Sequence, residues 1–340
     1  MNLLYFVLGS LLLLLVIVDL LWTTVWVEQG AGPLTSRLMS WTWNSIRKMA
    51  STNSIVLTLS GPLILILGLS IWLSFLWVGW TLIFASVEGA LVDTVSSRLI
   101  SWPELLYFAG YTVFTLGNGD FIPSGPVWQL ATVLATASGM LFVTLSVTYV
   151  LSVLGAVTQK RSFARGVHGL GTESTAILRT SWDGNSFQGL DVPLNTLATE
   201  LNALTSNHKA YPILHYFYSE QREQAPTSGI TILDEALTLL RFGVSEQKRP
   251  NEMLLLQTRS SVDGYLDTVG GAYVEPANRS PPRPDIEELR DAGIPTVSDE
   301  EFATSVEELD ERRRTLLGLI ESDERQWPTT DPPQGNQSDT

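Results

Sequence analysis

Three apolar runs, each long enough to cross a bilayer, constrain this chain more than any other feature. They cover about Leu3–Val27, Ile55–Phe84 and Pro126–Thr158. A spanning helix needs ~20 predominantly apolar residues, and helices satisfy their own backbone groups where no water is present. One ionisable residue, Asp19, interrupts the first run. A secretory signal is the competing reading of that run. It begins without positive charge, however, and no small-residue cleavage site follows it cleanly, so it reads as a retained helix. Trp22 and Trp26 fall at its interfacial end. Asp19 is costly in hydrocarbon and reads as a structural contact, snorkelling or paired with a hydroxyl.

The remaining composition divides the chain in two. Hydrophobic residues make up 45% of it and charged ones 16%, with the apolar excess before residue 158. From Asn251 to Thr340 there are 20 Asp/Glu, 8 Arg and no Lys, a net charge of −12 out of −14 for the whole. That acidity excludes nucleic acid as a partner, because phosphate binding needs a basic surface. It also keeps the tail off an anionic leaflet. Cysteine is absent, and His168, His208 and His215 show no metal-ligand spacing. No nucleophile–base pair is visible, so the chain reads as a non-enzyme without a cofactor.

Between the second and third runs stands Thr112-Val113-Phe114-Thr115-Leu116-Gly117-Asn118-Gly119-Asp120. An ion crossing a bilayer sheds water, and stacked backbone carbonyls replace that shell if alternate residues tolerate unusual dihedrals. Gly117 and Gly119 supply that tolerance. Just upstream, Ser101-Trp102-Pro103-Glu104 has the form of a capping box with proline in the first turn. The predicted helix runs to about Phe114 and aims its negative C-terminal dipole at the loop.

On these residues, 54–160 resembles the two-helix pore module of the tetrameric potassium-channel superfamily. The resemblance implies a filter formed by Thr115, Leu116, Gly117, Asn118, Gly119 and Asp120. Carbonyls of Thr115, Leu116, Gly117 and Asn118 would hold K+ or another monovalent cation, and the Thr115 hydroxyl adds an inner ring. Asp120 either bonds behind the loop, the preferred role, or attracts cations at the mouth. The family commonly places an aromatic residue where Asn118 stands. Tyr107 and Phe108 occupy positions of its bracing aromatics, and Tyr111 replaces a residue often acidic or aliphatic. Gly139 lies 20 residues after Gly119, the family's spacing for a gating hinge; close helix packing is the equal alternative. Met140, Val143, Val147 and Leu151 would then line an apolar cavity. A single pore loop implies a homotetramer.

The expected architecture is an all-α membrane protein with three transmembrane helices, a re-entrant pore helix and a mainly helical cytoplasmic C-terminal domain. Its segments are an N-terminal span (1–30), an interfacial amphipathic helix (31–53), the pore module (54–160), a cytoplasmic helical domain (161–280) and an acidic helix with a disordered tail (281–340). Arg37, Arg47 and Lys48 share one side with Lys160, Arg161 and Arg165. The expected location is the plasma membrane, as a multi-pass protein, and the positive-inside rule sets the N-terminus outside and the tail in the cytoplasm. Within the tail, helices are predicted from Leu194, Leu197, Leu201 and Leu204, over Ile232–Phe242, and over Ser298–Asp323. Gly166–Gly171 reads as a flexible linker, and the aromatic stretch 208–218 as a corner in the tail's core. The predicted function is passive cation conduction, of potassium first. The alternatives are a non-selective monovalent cation channel and a non-conducting membrane scaffold or receptor acting through its cytoplasmic tail. No tail effector is identifiable.

Overall fold

The apolar runs become helices whose ends are set by capping and proline chemistry. The computed structural model describes residues 1–26, 30–49, 54–94, 100–270 and 274–328. Its packing falls into two units, Met1–Leu154 with Ala210–Tyr216, and Gly155–Lys209 with the chain from Phe217 onward. In the first unit stand α1 (Leu3–Val25), α2 (Pro33–Met49), α3 (Ser54–Thr58), α4 (Ser60–Ala85) and α5 (Trp102–Val113). A 45-residue helix, α6 (Pro126–Leu170), begins here and runs into the second unit. Three helical stretches are long and apolar enough to cross a membrane: Leu3–Val25, Val56–Ala85 and Pro126–Leu170. The protein is thus an all-α membrane protein, as its sequence predicts.

Pro62 has no N–H, and its ring would meet the carbonyl four residues back, which accounts for the turn at Leu59 that separates α3 from α4. α1 lies along α4 at very close range. A Cβ on Gly9 would come within 2.8 Å of the Gly79 carbonyl, and one on Gly79 within 2.8 Å of Leu13. Small residues allow such approach where no water drives helices together.

Asp19 is fully buried and makes the structural contact expected of it. Its carboxylate accepts from the backbone N–H groups of Leu34 at 2.7 Å and Thr35 at 3.3 Å, from the Thr35 hydroxyl, and from Trp72 Nε1 at 2.8 Å. A carboxylate from α1 therefore caps the first turn of α2, where orphan N–H groups and a positive dipole end await an acceptor. One side chain joins α1, α2 and α4. Gly32 is needed beside it, because a Cβ there would lie 2.3 Å from Asp19 Oδ1. The buried stripe of α2 is Thr35, Met39 and Thr42, whereas Trp41 is 69% exposed.

Two three-residue strands, β1 (Leu91–Asp93) and β2 (Phe121–Pro123), pair antiparallel with Val92 opposite Ile122. They bring the chain before α5 alongside the chain after the 115–120 loop. Strands this short leave no periodicity in a sequence, and the residue pattern does not predict the ribbon.

In the second unit the helices are α7 (Ser174–Ser181), α8 (Asp191–Ala210), α9 (Pro226–Thr238), α10 (Glu252–Val269), α11 (Glu287–Asp291), α12 (Asp299–Glu308) and α13 (Asp310–Ser322). Leu194, Leu197, Leu201 and Leu204 of α8 are all buried, as predicted. Every residue of α9 is buried, which marks it as the central helix. It begins six residues before its predicted start and ends in a π-helical turn, Leu239–Gly243.

Three expectations need correction. Gly166–Leu170 is not a linker but the end of α6, where Phe163 and Val167 enter the tail's core. Ser298–Asp323 is two helices parted at Leu309. Residues 210–216 pack with the first unit, not in the tail's core: Ser60 Oγ donates to the Tyr216 carbonyl at 2.7 Å, and Tyr211 meets the Tyr149 ring edge-on. α7, α10 and α11 are additions to the predicted helices. The residues after Pro328, predicted disordered, lie outside those described.

Buried charge in α9 is fully paired. Arg312 bonds Asp234 through Nε and Nη2, the shortest contact 2.6 Å, and Arg313 bonds both oxygens of Glu235 at 2.9 and 3.2 Å. Arg313 also donates to the carbonyls of Pro281 and Pro282, so the proline break is tied to α13. Removing one partner of such a pair costs about 3–5 kcal/mol, whereas replacing both with apolar groups is often neutral. Arg313→Ala should therefore lower the denaturation midpoint of the purified protein far more than Arg313→Met combined with Glu235→Leu. In the membrane unit, loss of the α2 cap should lower thermal stability in Asp19→Asn and lower it further in Asp19→Ala. The second loss should be about 2–4 kcal/mol, read from thermal denaturation of the two variants beside wild type.

Candidate functional site

α5 begins with its capping box closed: Glu104 accepts from both the N–H and the hydroxyl of Ser101, each at 2.7 Å. Pro103 sits in the first turn, where a missing donor is harmless. The helix packs on α4 through Phe108 and Phe84, whose rings meet edge-on at 4.9 Å, and Trp77 Nε1 donates to the Leu106 carbonyl at 2.8 Å. Its last turn closes with Phe114 N–H to the Gly110 carbonyl, Thr115 N–H to Thr112, and Leu116 N–H to Tyr111.

From there the chain leaves the helix in an alternating conformation. Thr115, Gly117 and Gly119 have φ of +61°, +61° and +80°, while Leu116 and Asn118 between them keep negative φ. Positive φ therefore falls on alternate residues. The two glycines adopt this at no steric cost. Thr115 does not: positive φ at a β-branched residue is a genuine outlier, and such strain costs about 1–3 kcal/mol. All residues from Phe114 to Asp120 are exposed in the single chain, Leu116 at 66%. The Thr115, Leu116, Gly117 and Asn118 peptides are thus brought together in one open loop at the negative end of α5.

The loop is fastened behind by its flanks. Tyr107 Oη donates to Asp120 Oδ2 at 3.2 Å and accepts from Asn118 Nδ2. Asp120 thus takes the role of bonding behind the loop, and its carbonyl accepts from the Thr94 N–H at 3.1 Å and hydroxyl at 3.0 Å. Tyr111 Oη, buried, donates to the Phe121 carbonyl at 2.8 Å. Sequence reasoning places Tyr107 and Tyr111 on the right helix face but misses these bonds. The available signal is the polar Asn118 where an aromatic is expected.

Gly139 does not interrupt α6. A Cβ there would lie 1.9 Å from the Val113 carbonyl oxygen, so its observed part is to let α6 meet the end of α5. Three residues earlier, the Thr136 hydroxyl donates to the Thr112 carbonyl at 3.3 Å. Met140, Val143, Val147 and Leu151 form one exposed stripe on α6, Met140 at 60% and Leu151 at 66%. Thr132, Thr144 and Thr148 return their hydroxyls to their own helix. Among the described residues no His/Cys/Asp/Glu group could hold a metal ion.

A helix-lined loop of this kind between two spanning helices defines an ion-channel pore module, and residues 55–156 match the family model described as ion channel. The chain belongs to that family of two-helix, potassium-channel-like pore modules. Over its whole length it is also similar to a protein of Bacillus subtilis (strain 168) described as the uncharacterized membrane protein YdjJ. The two are 45% identical over 336 residues, 99% of this chain and 98% of the relative. No solved structure matches the chain.

The contact at Gly139 carries its own test. Gly139→Ala forces a methyl into the Val113 carbonyl, and overpacking of this kind costs about 1–3 kcal/mol. Purified Gly139→Ala protein should melt at lower temperature than wild type, whereas Gly155→Ala, with open space around it, should not.

Proposed function

We propose that the protein is a homotetrameric cation channel conducting potassium through the carbonyls of Thr115, Leu116, Gly117 and Asn118. The observation that carries this reading is the alternation of φ at 115, 117 and 119 in a wholly exposed loop at the end of α5. Irregular backbone at membrane depth is tolerated only where it is buried in protein or lines a water-filled cavity. One chain leaves this loop open on the carbonyl side, so further copies must close around it. Heterologous contacts that repeat around one axis close a ring, and four such loops form the filter of potassium channels. In the ring, the stripe Met140, Val143, Val147 and Leu151 faces the cavity below the filter. An apolar constriction there stops ions by dewetting. Gly139 then serves as hinge only if α6 parts from Val113.

Orientation follows the basic residues: Arg37, Arg47 and Lys48 on the cytoplasmic side of the plasma membrane, the N-terminus outside, and the tail in the cytoplasm. Conduction of this kind is passive and needs no cofactor or covalent chemistry. A second reading, a non-selective monovalent cation channel, is favoured by one observation: Asn118, not an aromatic, occupies the fourth filter position.

Both readings are separable. Protein reconstituted into planar bilayers under opposed K+ and Na+ should give a reversal potential displaced toward potassium, and native mass measurement should give four chains. Reversal at zero favours the non-selective pore. A stable monomer or dimer that still conducts overturns the ring. Gly117→Ala, strained at φ +61° by about 1 kcal/mol or more, should abolish or sharply reduce the current.

A further inference from the structure

Tyr149 of α6 lies between Val147 and Leu151, two members of the exposed apolar stripe. At 3.6 residues per turn, two positions along is about 200°, so its ring stands on the opposite face of the same turn. Exposure divides accordingly: Val147 is 54% exposed and Leu151 66%, whereas Tyr149 is 4%. Two rings cover it. Trp72 of α4 lies 6.4 Å away between centroids, and Tyr211 meets it edge-on at 5.9 Å. The Tyr149 hydroxyl has no hydrogen-bond partner among the described residues, so packing holds the ring.

Tyr211 comes from far along the chain. Residues 210–216 pack with the first unit, while the chain before and after them belongs to the second. A short 3₁₀ turn, Pro212–Tyr216, buries Pro212, Ile213, Leu214 and Tyr216 there. Its far end is fixed twice. Ser60 Oγ, at the start of α4, donates to the Tyr216 carbonyl at 2.7 Å. The Trp43 ring of α2 lies 5.7 Å from that of Tyr216. Residues 210–216 thus form a strap that touches α2, α4 and α6, and Tyr211 is its contact on α6.

We propose that residues 210–216 are an intramolecular strap that restrains pore opening, with Tyr211 bearing on α6 through Tyr149. The proposal rests on the pore reading above, in which Val147 and Leu151 line an apolar constriction that stops ions by dewetting. To rewet it, the stripe must draw back from the axis, and Tyr149 on the opposite face then moves outward. Trp72 and Tyr211 occupy that space. Trp72 is pinned, because its indole N–H is bonded to Asp19. Tyr211 hangs on a strap whose two ends run on into the second unit, at Lys209 and Phe217. Close-packed interiors switch between discrete arrangements and do not deform by degrees, so the ring pair opposes opening until the strap shifts.

The test uses full-length protein in planar bilayers. Tyr211→Leu keeps an apolar filler but loses one aromatic pair. Its ratio of open to closed time should rise about threefold or more, the factor such a pair is worth, at unchanged reversal potential and single-channel conductance. Adding Tyr211→Leu to Tyr149→Leu should raise the ratio no further, because both remove the same contact. Tyr218→Leu, outside the strap, should leave the ratio as in wild type. An unchanged ratio in Tyr211→Leu, or an equal rise in Tyr218→Leu, overturns the proposal. A second measurement does not depend on current. The chain has no cysteine, so Tyr149→Cys with Tyr211→Cys offers one pair of thiols. A short, cleavable bifunctional thiol reagent should join them in the membrane, so that pieces cut between the two positions stay together on a denaturing gel at the mass of one chain. Joined channels should stay shut until the link is cleaved. Failure to join thiols that each react singly overturns the strap, and full current through joined channels overturns its hold on opening. Joining in a protein that never conducts overturns the channel reading, and the restraint on opening with it, while the strap's placement stands.

Discussion

Backbone polar groups at membrane depth must find partners, and the arrangement around residues 114–120 follows from that requirement. Up to Phe114 the helix α5 satisfies its own carbonyls. Beyond it, positive φ falls on alternate residues, Thr115, Gly117 and Gly119. The N–H side is partly consumed, since Thr115 and Leu116 donate back to Thr112 and Tyr111. In the proposed channel the C-terminal dipole of α5 adds its partial negative charge at this loop. The strain at Thr115 belongs to the same account. A β-branched residue held at φ +61° is maintained by the bonds on either side of it, and strain of this kind collects where geometry serves a function.

The surrounding helices are joined by the same use of polar groups. Asp19 would be prohibitive alone in hydrocarbon, yet it accepts from two backbone donors, a hydroxyl and an indole. The carboxylate thereby satisfies donors that the start of α2 and Trp72 would otherwise leave unpaired. Close glycine contacts do the equivalent for backbone packing, Gly9 with Gly79 and Gly139 with Val113. In the second unit α9 carries two acids through a core, and each meets an arginine from α13. In both units these acids are buried against partners fixed by another helix.

How much of this can be read from residues alone depends on the range of the signal. Long apolar runs, the Ser101–Glu104 capping box and the leucine spacing of α8 are local or strongly periodic, and the observed elements agree with them. Asp19 is legible as a costly residue needing a structural partner, but its partners come from 15 to 53 positions away. The ribbon Leu91–Asp93 with Phe121–Pro123 is invisible because three residues carry no pattern. Gly166 and Gly169 mislead for a different reason. Glycine weakens a helix by only ~1 kcal/mol, and burial of Phe163 and Val167 overrides that, with Gly166 giving room to Leu197 at 3.3 Å from where a Cβ would stand. α9 extends past its predicted start because it is buried on all sides, which removes the amphipathic pattern that marks helix ends.

The choice of Asn118 follows from what surrounds it. Its amide reaches Tyr107, itself packed edge-on against Tyr111 and Phe121. With aromatics supplied by α5 and β2, the loop residue needs only to be short and to donate. Asparagine does both, and its amide leaves the Tyr107 proton free for Asp120. Aspartate at that position would compete with Asp120 for the single proton, and leucine would leave the phenol half-used. In the proposed channel, then, Tyr107 keeps a position of the family's bracing aromatics, and Asn118 meets it with an amide instead of a ring.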